Sequence, residues 1–175
     1  CNAPVGSGCA AKFSSFEWTV GSGSGILQKP TTINPTYVPS ASETGNVELR
    51  ITAQPLTDGT VNCGGASQDT MTISITAVPS ADAGPNQTIC EGENFNLVGT
   101  GVSASNYNLL VWTTSGDGFF TNANDLEPTY TPGPSDRSTG QVSLQLEALP
   151  NAPCSVSEIS EMVLTITKIP VIDAG

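Results

Sequence analysis

The sequence predicts an all-β chain of two tandem immunoglobulin-like β-sandwich modules in an extended array. Three observations carry this expectation. The first is self-similarity. Trp18-Thr19 returns as Trp112-Thr113, Pro35-Thr36-Tyr37 as Pro128-Thr129-Tyr130, and Gly45, Val47 and Leu49 as Gly140, Val142 and Leu144. Cys63, Met71, Ile73 and Ile75 return as Cys154, Met162, Leu164 and Ile166, and the offset stays between 91 and 95 residues, the length of one compact domain. The second is strict alternation of apolar and polar residues in the later part of each copy, the period of a half-buried strand. The third is punctuation by Gly and Pro throughout, which leaves no window of eleven or more residues with a convincing helical period.

Taken in order, Trp18 and Trp112 stand in strands that run into glycine-rich turns at residues 21–25 and 116–118. A short turn or single helical turn follows, opened by Pro39-Ser40 or Pro134-Ser135 and stopped by Gly45 or Gly140. Residues 47–53 and 142–148 then alternate as strands, and residues 71–76 and 162–167 repeat the pattern. Six or seven short strands per ~90 residues describe an immunoglobulin-like sandwich. The repeated aromatics Trp18, Trp112, Tyr37 and Tyr130 are its expected core. The boundary is expected at Val78-Pro79-Ser80, giving module 1 at residues 1–79, clipped at its start, and module 2 at residues 80–170. Residues 171–175 read as the start of a further repeat, because Asp173-Ala174-Gly175 matches Asp82-Ala83-Gly84.

Composition narrows the function. Sixteen acidic residues against five basic ones give a net charge of −11, the opposite of a nucleic-acid footprint. The chain has no histidine, so the commonest general base and neutral metal ligand are missing. Only 12% of residues are charged, whereas Thr, Ser, Asn and Gly abound. This suits strands with uncharged polar faces. The longest apolar runs are a few residues, too short for a membrane-spanning helix.

Five cysteines, at 1, 9, 63, 90 and 154, have no C-x-x-C spacing and no histidine beside them, which favours disulfides over zinc. Equivalence of Cys63 and Cys154 leads to the expected pairs Cys1–Cys63 and Cys90–Cys154, each tying a module's first strand to the loop before its last. Cys9 pairing with Cys63, with Cys1 bonded upstream, is the rival. Closing a loop of about 60 residues would stabilise a module by roughly 4 kcal/mol.

The strings Ala81-Asp82-Ala83-Gly84-Pro85-Asn86-Gln87-Thr88-Ile89-Cys90-Glu91-Gly92, Trp112-Thr113-Thr114-Ser115-Gly116-Asp117-Gly118 and Pro128-Thr129-Tyr130-Thr131-Pro132 carry a resemblance. They resemble the PKD-like, immunoglobulin-like repeats of giant Bacteroidetes surface proteins, among them the SprB-type gliding-motility adhesins. Module 2 matches almost entirely, and module 1 from about Val5 onward. The resemblance implies type IX secretion and display at the bacterial cell surface as an extracellular filament serving adhesion or gliding. Its implied partners are neighbouring repeats of the same chain, the outer-membrane export and gliding machinery, and surface polysaccharide.

Candidate chemistry is sparse, and no catalytic residue is expected. Asp117, Asp82, Glu91, Glu93 and Asp173 are oxygen donors that calcium would use, although no dense D-x-D-x-D run is present, and solvated turn acids are the plainer reading. Glu91/Glu93 and Glu158/Glu161 have the form of paired carboxylates, yet neither pair recurs in module 1 and no aromatic cluster adjoins them to hold a sugar. Asn86-Gln87-Thr88 has the form of an N-glycosylation sequon, and Thr70 in Asp69-Thr70-Met71 is a candidate for O-glycosylation. The functional expectation is a structural and adhesive repeat segment of a large surface filament. The alternative is an accessory sugar- or calcium-binding module of a secreted multidomain enzyme.

Overall fold

In the computed structural model, residues 13–56 and 65–170 are described. Contacts divide the chain into two units, Cys1–Thr76 and Ala77–Gly175. In the first, the strands are β1 (Phe13–Ser22), β2 (Ile26–Gln28), β3 (Thr36–Val38), β4 (Gly45–Pro55) and β5 (Ser67–Ile75). β1, β4 and β5 form one antiparallel sheet in that order, and β2 pairs with β3.

The second unit begins with β6 (Ser80–Asp82), β7 (Gln87–Cys90), β8 (Phe95–Asn96) and β9 (Ser103–Ser105). It continues with β10 (Tyr107–Thr114), β11 (Phe119–Thr121), β12 (Thr129–Thr131), α1 (Pro134–Thr139), β13 (Gln141–Pro150) and β14 (Glu158–Thr167). One sheet runs β10-β13-β14-β7, with β7 parallel to β14, and faces a second, β11-β12-β8. β6 and β9 make a separate pair. This is an immunoglobulin-like β-sandwich, and the chain is nearly all β. It has nine strands rather than six or seven because β6, β8 and β9 are two or three residues long, below what alternation can register.

Alternation decides which side chains go inside. Val142, Leu144, Leu146 and Ala148 on β13, and Met162, Leu164 and Ile166 on β14, are buried. Their intervening neighbours face outward, as period 2 requires. The opposite wall is Phe95, Leu97, Val102 and Tyr130, with Trp112 between the sheets and the Phe120 ring 5.5 Å from Trp112 and 4.8 Å from Tyr130. In unit 1, Val47 and Leu49 are buried. Met71, however, is 47% exposed where its counterpart Met162 is 1% exposed. By sequence alignment, the unit 1 counterparts of Leu97 and Val102 are Pro4 and Cys9, which lie outside the described residues.

The two units share their register residue for residue. Trp18 stands opposite Ile51 as Trp112 stands opposite Leu146, and Leu49 opposite Met71 as Leu144 opposite Met162. One irregularity is copied, since the register shifts between Phe13 and Ser15 and again between Tyr107 and Leu109, whereas a second shift, between Val20 and Ser22, belongs to unit 1 alone. The Trp18 amide donates to Pro30 O and the Trp112 amide to Ala123 O, each at 2.8 Å, so the same loop closes on the same strand edge.

The expected Cys90–Cys154 disulfide is corrected by this topology, for the two cysteines are not bonded to one another. Cys90 ends β7 beside Thr167, the last residue of β14, whereas Cys154 lies in the turn that precedes Glu158. The ten residues of β14 separate those positions by about 30 Å, and a disulfide needs Cα atoms within ~7 Å. β7 therefore ends at the pole opposite the hairpin loop. Cys1, Cys9 and Cys63, and with them the expected Cys1–Cys63 pair and its rival, lie outside the described residues. No helix among the described residues is long and apolar enough to cross a membrane.

Candidate functional site

The densest polar constellation of unit 2 centres on Asp136, a carboxylate only 3% exposed. It sits in the first turn of α1, where Pro134 is set for a helix start and the aspartate reaches back to the Gly133 amide at 2.9 Å. The same carboxylate accepts from the Tyr130 hydroxyl at 2.7 Å, the Gly118 amide at 3.1 Å and the Asp117 amide at 3.2 Å. Asp117 reciprocates. Its carboxylate accepts from the Ser135 amide at 3.1 Å and the Asp136 amide at 3.2 Å, satisfying the helix's first donors from outside. Two acids thus join the glycine-rich turn after β10, the end of β12 and the start of α1. The approach is so close that a Cβ on Gly116 would overlap the Asp136 carboxylate, and one on Gly118 would overlap the Tyr130 hydroxyl.

Unit 1 builds the same lock from a different acid. Tyr37 donates to Glu43 at 2.8 Å, and Glu43 also accepts from the Ser24 amide at 2.6 Å and the Ser40 amide at 3.1 Å. The Gly25 amide donates to the Tyr37 oxygen at 2.9 Å. In both units the acid follows the tyrosine by six residues and precedes a glycine with positive φ, Gly45 at 91° or Gly140 at 80°, where an L side chain is strained. Neither Glu43 nor Asp136 stands out in the sequence as a site residue. The signal that would have found them is an acid six residues after each copy of Pro-Thr-Tyr.

These bonds shift the ionisations. The Ser135 amide foremost holds Asp117 below its ordinary 3.8, and the Ser24 amide foremost holds Glu43 below its ordinary 4.5. Burial pushes the Tyr130 hydroxyl from 10 up to about 12. Tyr37 is raised by desolvation and then by its bond to Glu43. A carboxyl with a lowered folded value contributes stability that is complete above its unfolded value and lost as pH falls toward the folded one. The melting temperature is therefore expected to hold from neutral pH to about 5 and to fall below about 4. On the alkaline side it is expected to fall between pH 10 and 12, where only the unfolded Tyr130 ionises. Calorimetry across pH checks both limbs, and an acid limb unchanged in Glu43→Gln and Asp117→Asn would remove these two acids as its cause.

The other residues singled out by sequence are not brought together. Asp82 accepts from the Gly84 amide at 2.9 Å and Glu93 from the Cys90 amide at 3.0 Å, each as a local turn contact. Asp173 lies outside the described residues, and Glu91 is half-buried. Among the described residues no three His, Cys, Asp or Glu side chains converge as a metal site. Of the paired carboxylates, Glu158 begins β14 and Glu161 accepts from the Ser143 hydroxyl at 2.6 Å. The Asn86 side chain accepts from the Val163 amide at 2.8 Å, tying it to the sheet edge. Thr70 lies exposed within β5, opposite Arg50, rather than just before the strand. Trp112 and Tyr130 are buried, and Trp18 and Tyr37 are half-buried. Among the described residues, the buried indole N–H of neither tryptophan has a hydrogen-bond partner.

Beside the lock, an open cavity of about 390 Å³ is lined by Ser115, Ser135, Asp136, Thr139, Gln141 and Ser143 among others. A second, of about 290 Å³, adjoins it along Thr113, Gln145 and Glu161. Both are hydroxyl-rich and solvent-open. The matching surface of unit 1 carries Glu48, whose carboxylate stands 3.2 Å from Arg50.

No protein-family model and no curated protein matches the chain. Solved structures similar to it include human mucin-like protocadherin EC1-2, at 15% identity and a TM-score of 0.41 over 90% of this chain and 86% of that one. Mouse clustered PcdhgC3 EC1-3 is 14% identical with a TM-score of 0.43, over 89% of this chain and 56% of that one. The human desmocollin-1 ectodomain is 14% identical with a TM-score of 0.40, over 91% of this chain and 35% of that one.

Proposed function

We propose that this chain is a structural and adhesive repeat segment of a large filament protein on the outside of a bacterial cell, supporting adhesion or gliding motility. The observation that carries the reading is duplication: a shared strand register, a shared bulge and a tyrosine–carboxylate lock, built twice in succession. Repetition of a self-contained sandwich is how chains gain length without new folds. The acidic charge of −11 suits a surface that must stay soluble at high local density. Export by the type IX route, contact with gliding machinery and membership of the SprB-type adhesins rest on the motif resemblance. Thr70, exposed on β5, is where we place O-glycosylation.

Pulling the whole chain by its ends tests the mechanical part. Two unfolding events are expected, each releasing about 300 Å of chain, the contour of about 90 residues at ~3.4 Å each. A single event, or extension without discrete resistance, would defeat the filament reading. The hydroxyl-rich cavity beside Asp136 favours one second reading, an accessory module that binds sugar or calcium. Titration calorimetry with calcium chloride and with neutral oligosaccharides separates them. Saturable binding that is lost on substituting Gln141 and Ser143, which line that cavity, would support the second reading over the first.

A further inference from the structure

The outward face of the β10-β13-β14 sheet changes character along its length. Toward the end near Pro150, Leu109 stands opposite Leu149, and the next row runs Val111, Glu147, Ile159. Leu109 is 41% and Ile159 51% exposed, while Val111 and Leu149 are half-buried on the same face. The fold does not require these apolar residues. Unit 1 has the same register, and at the four corresponding positions it carries Ser15, Gln54, Glu17 and Gln68. Core residues are matched between the units, yet here an outward polar set has become an apolar one. Scattered exposed hydrophobes need no explanation, but a contiguous patch that a sister repeat lacks does.

We infer that this face of unit 2 is a docking surface for a partner protein that presents apolar side chains flanked by cationic ones. Charge selects that occupant. Glu147 lies in the middle of the patch and Glu161 in the next row, and neither has a basic neighbour across the strands. In the described part of unit 2 the basic residues are Arg137, whose Nε donates to Pro132 O, and Lys168, beyond the end of β14. A second copy would bring the same two carboxylates and a further −11 of charge, so self-association is opposed where a basic partner is drawn in. Leu109 and Ile159 supply the desolvated anchors, and the carboxylates set register and encounter.

The test uses the intact chain and a short labelled peptide alternating lysine with leucine, read by fluorescence anisotropy, with a glutamate–leucine peptide as comparison. The double variant Leu109→Ser/Ile159→Gln takes its residues from unit 1, leaves charge unchanged and is expected to keep the wild-type melting temperature. It should bind the lysine peptide about tenfold or more weaker than wild type. Glu147→Gln/Glu161→Gln should weaken binding similarly and flatten its salt dependence. Equal binding of both peptides by wild type, or wild-type affinity in Leu109→Ser/Ile159→Gln, would overturn the assignment. Concentration-dependent dimerisation of wild type that disappears in Leu109→Ser/Ile159→Gln would also overturn it, by making a second copy the occupant.

Discussion

Asp136→Ala is expected to destabilise unit 2 by about 3–5 kcal/mol, because it removes one buried acceptor and strands several donors at once. The Tyr130 hydroxyl and the Gly118, Gly133 and Asp117 amides all converge on that carboxylate. The carboxylate is only 3% exposed and the glycine turn lies against it, so water entering from the adjoining cavity would satisfy only part of these donors. Asp136→Asn should cost less, about 2 kcal/mol, since one side-chain oxygen still accepts while the amide faces donors. Urea unfolding followed by tryptophan fluorescence in a Trp18→Phe background isolates unit 2. A loss below about 1 kcal/mol for Asp136→Ala would mean that the network decorates the fold without holding it.

Trp112→Ala is expected to cost a further large amount, about 3–5 kcal/mol, by emptying the centre of a closed core. Its ring lies between the sheets, in contact with Phe120 and close to the buried residues of β13 and β14. The informative comparison is Trp112→Phe, expected to cost only about 1 kcal/mol, because lost volume is offset by removing a buried indole N–H that has no partner among the described residues. Trp18→Ala in the half-buried site of unit 1 should cost about half as much as Trp112→Ala. Equal losses for the two alanine variants would show that the units are equally closed in solution.

The strands were legible where period 2 persists. Residues 142–148 alternate cleanly, and β13 buries Val142, Leu144, Leu146 and Ala148 as that pattern demands. Short strands were not, because Ser80–Asp82 and Ser103–Ser105 hold too few residues to alternate. The disulfide expectation failed at Cys90 for a spatial reason. Position along a module says nothing about which pole of a strand a residue occupies, and β7 runs parallel to β14 rather than back toward its preceding turn. The lock was hidden by chemistry, since Glu43 and Asp136 differ in length and look like surface acids among many. Asp117 caught attention as a cation ligand, whereas its carboxylate is taken up by backbone amides of α1.

The copied register has a consequence for how such a gene can change. The offset between copies is 94 at the tryptophans, 93 at the tyrosines, 95 at Gly45 and Gly140, and 91 at the methionines. The step from 94 to 93 falls at the register shift between Val20 and Ser22 near the end of β1, and the others fall between strands, in the α1 segment and the final hairpin loop. Recombination that splices one copy onto the other within a matched strand would therefore join identical pairing patterns, with the same bulge and the same inward set. Crossovers of that kind would conserve the fold while exchanging outward faces, so a chain of such units could be lengthened, shortened or given a new surface by unequal exchange between them.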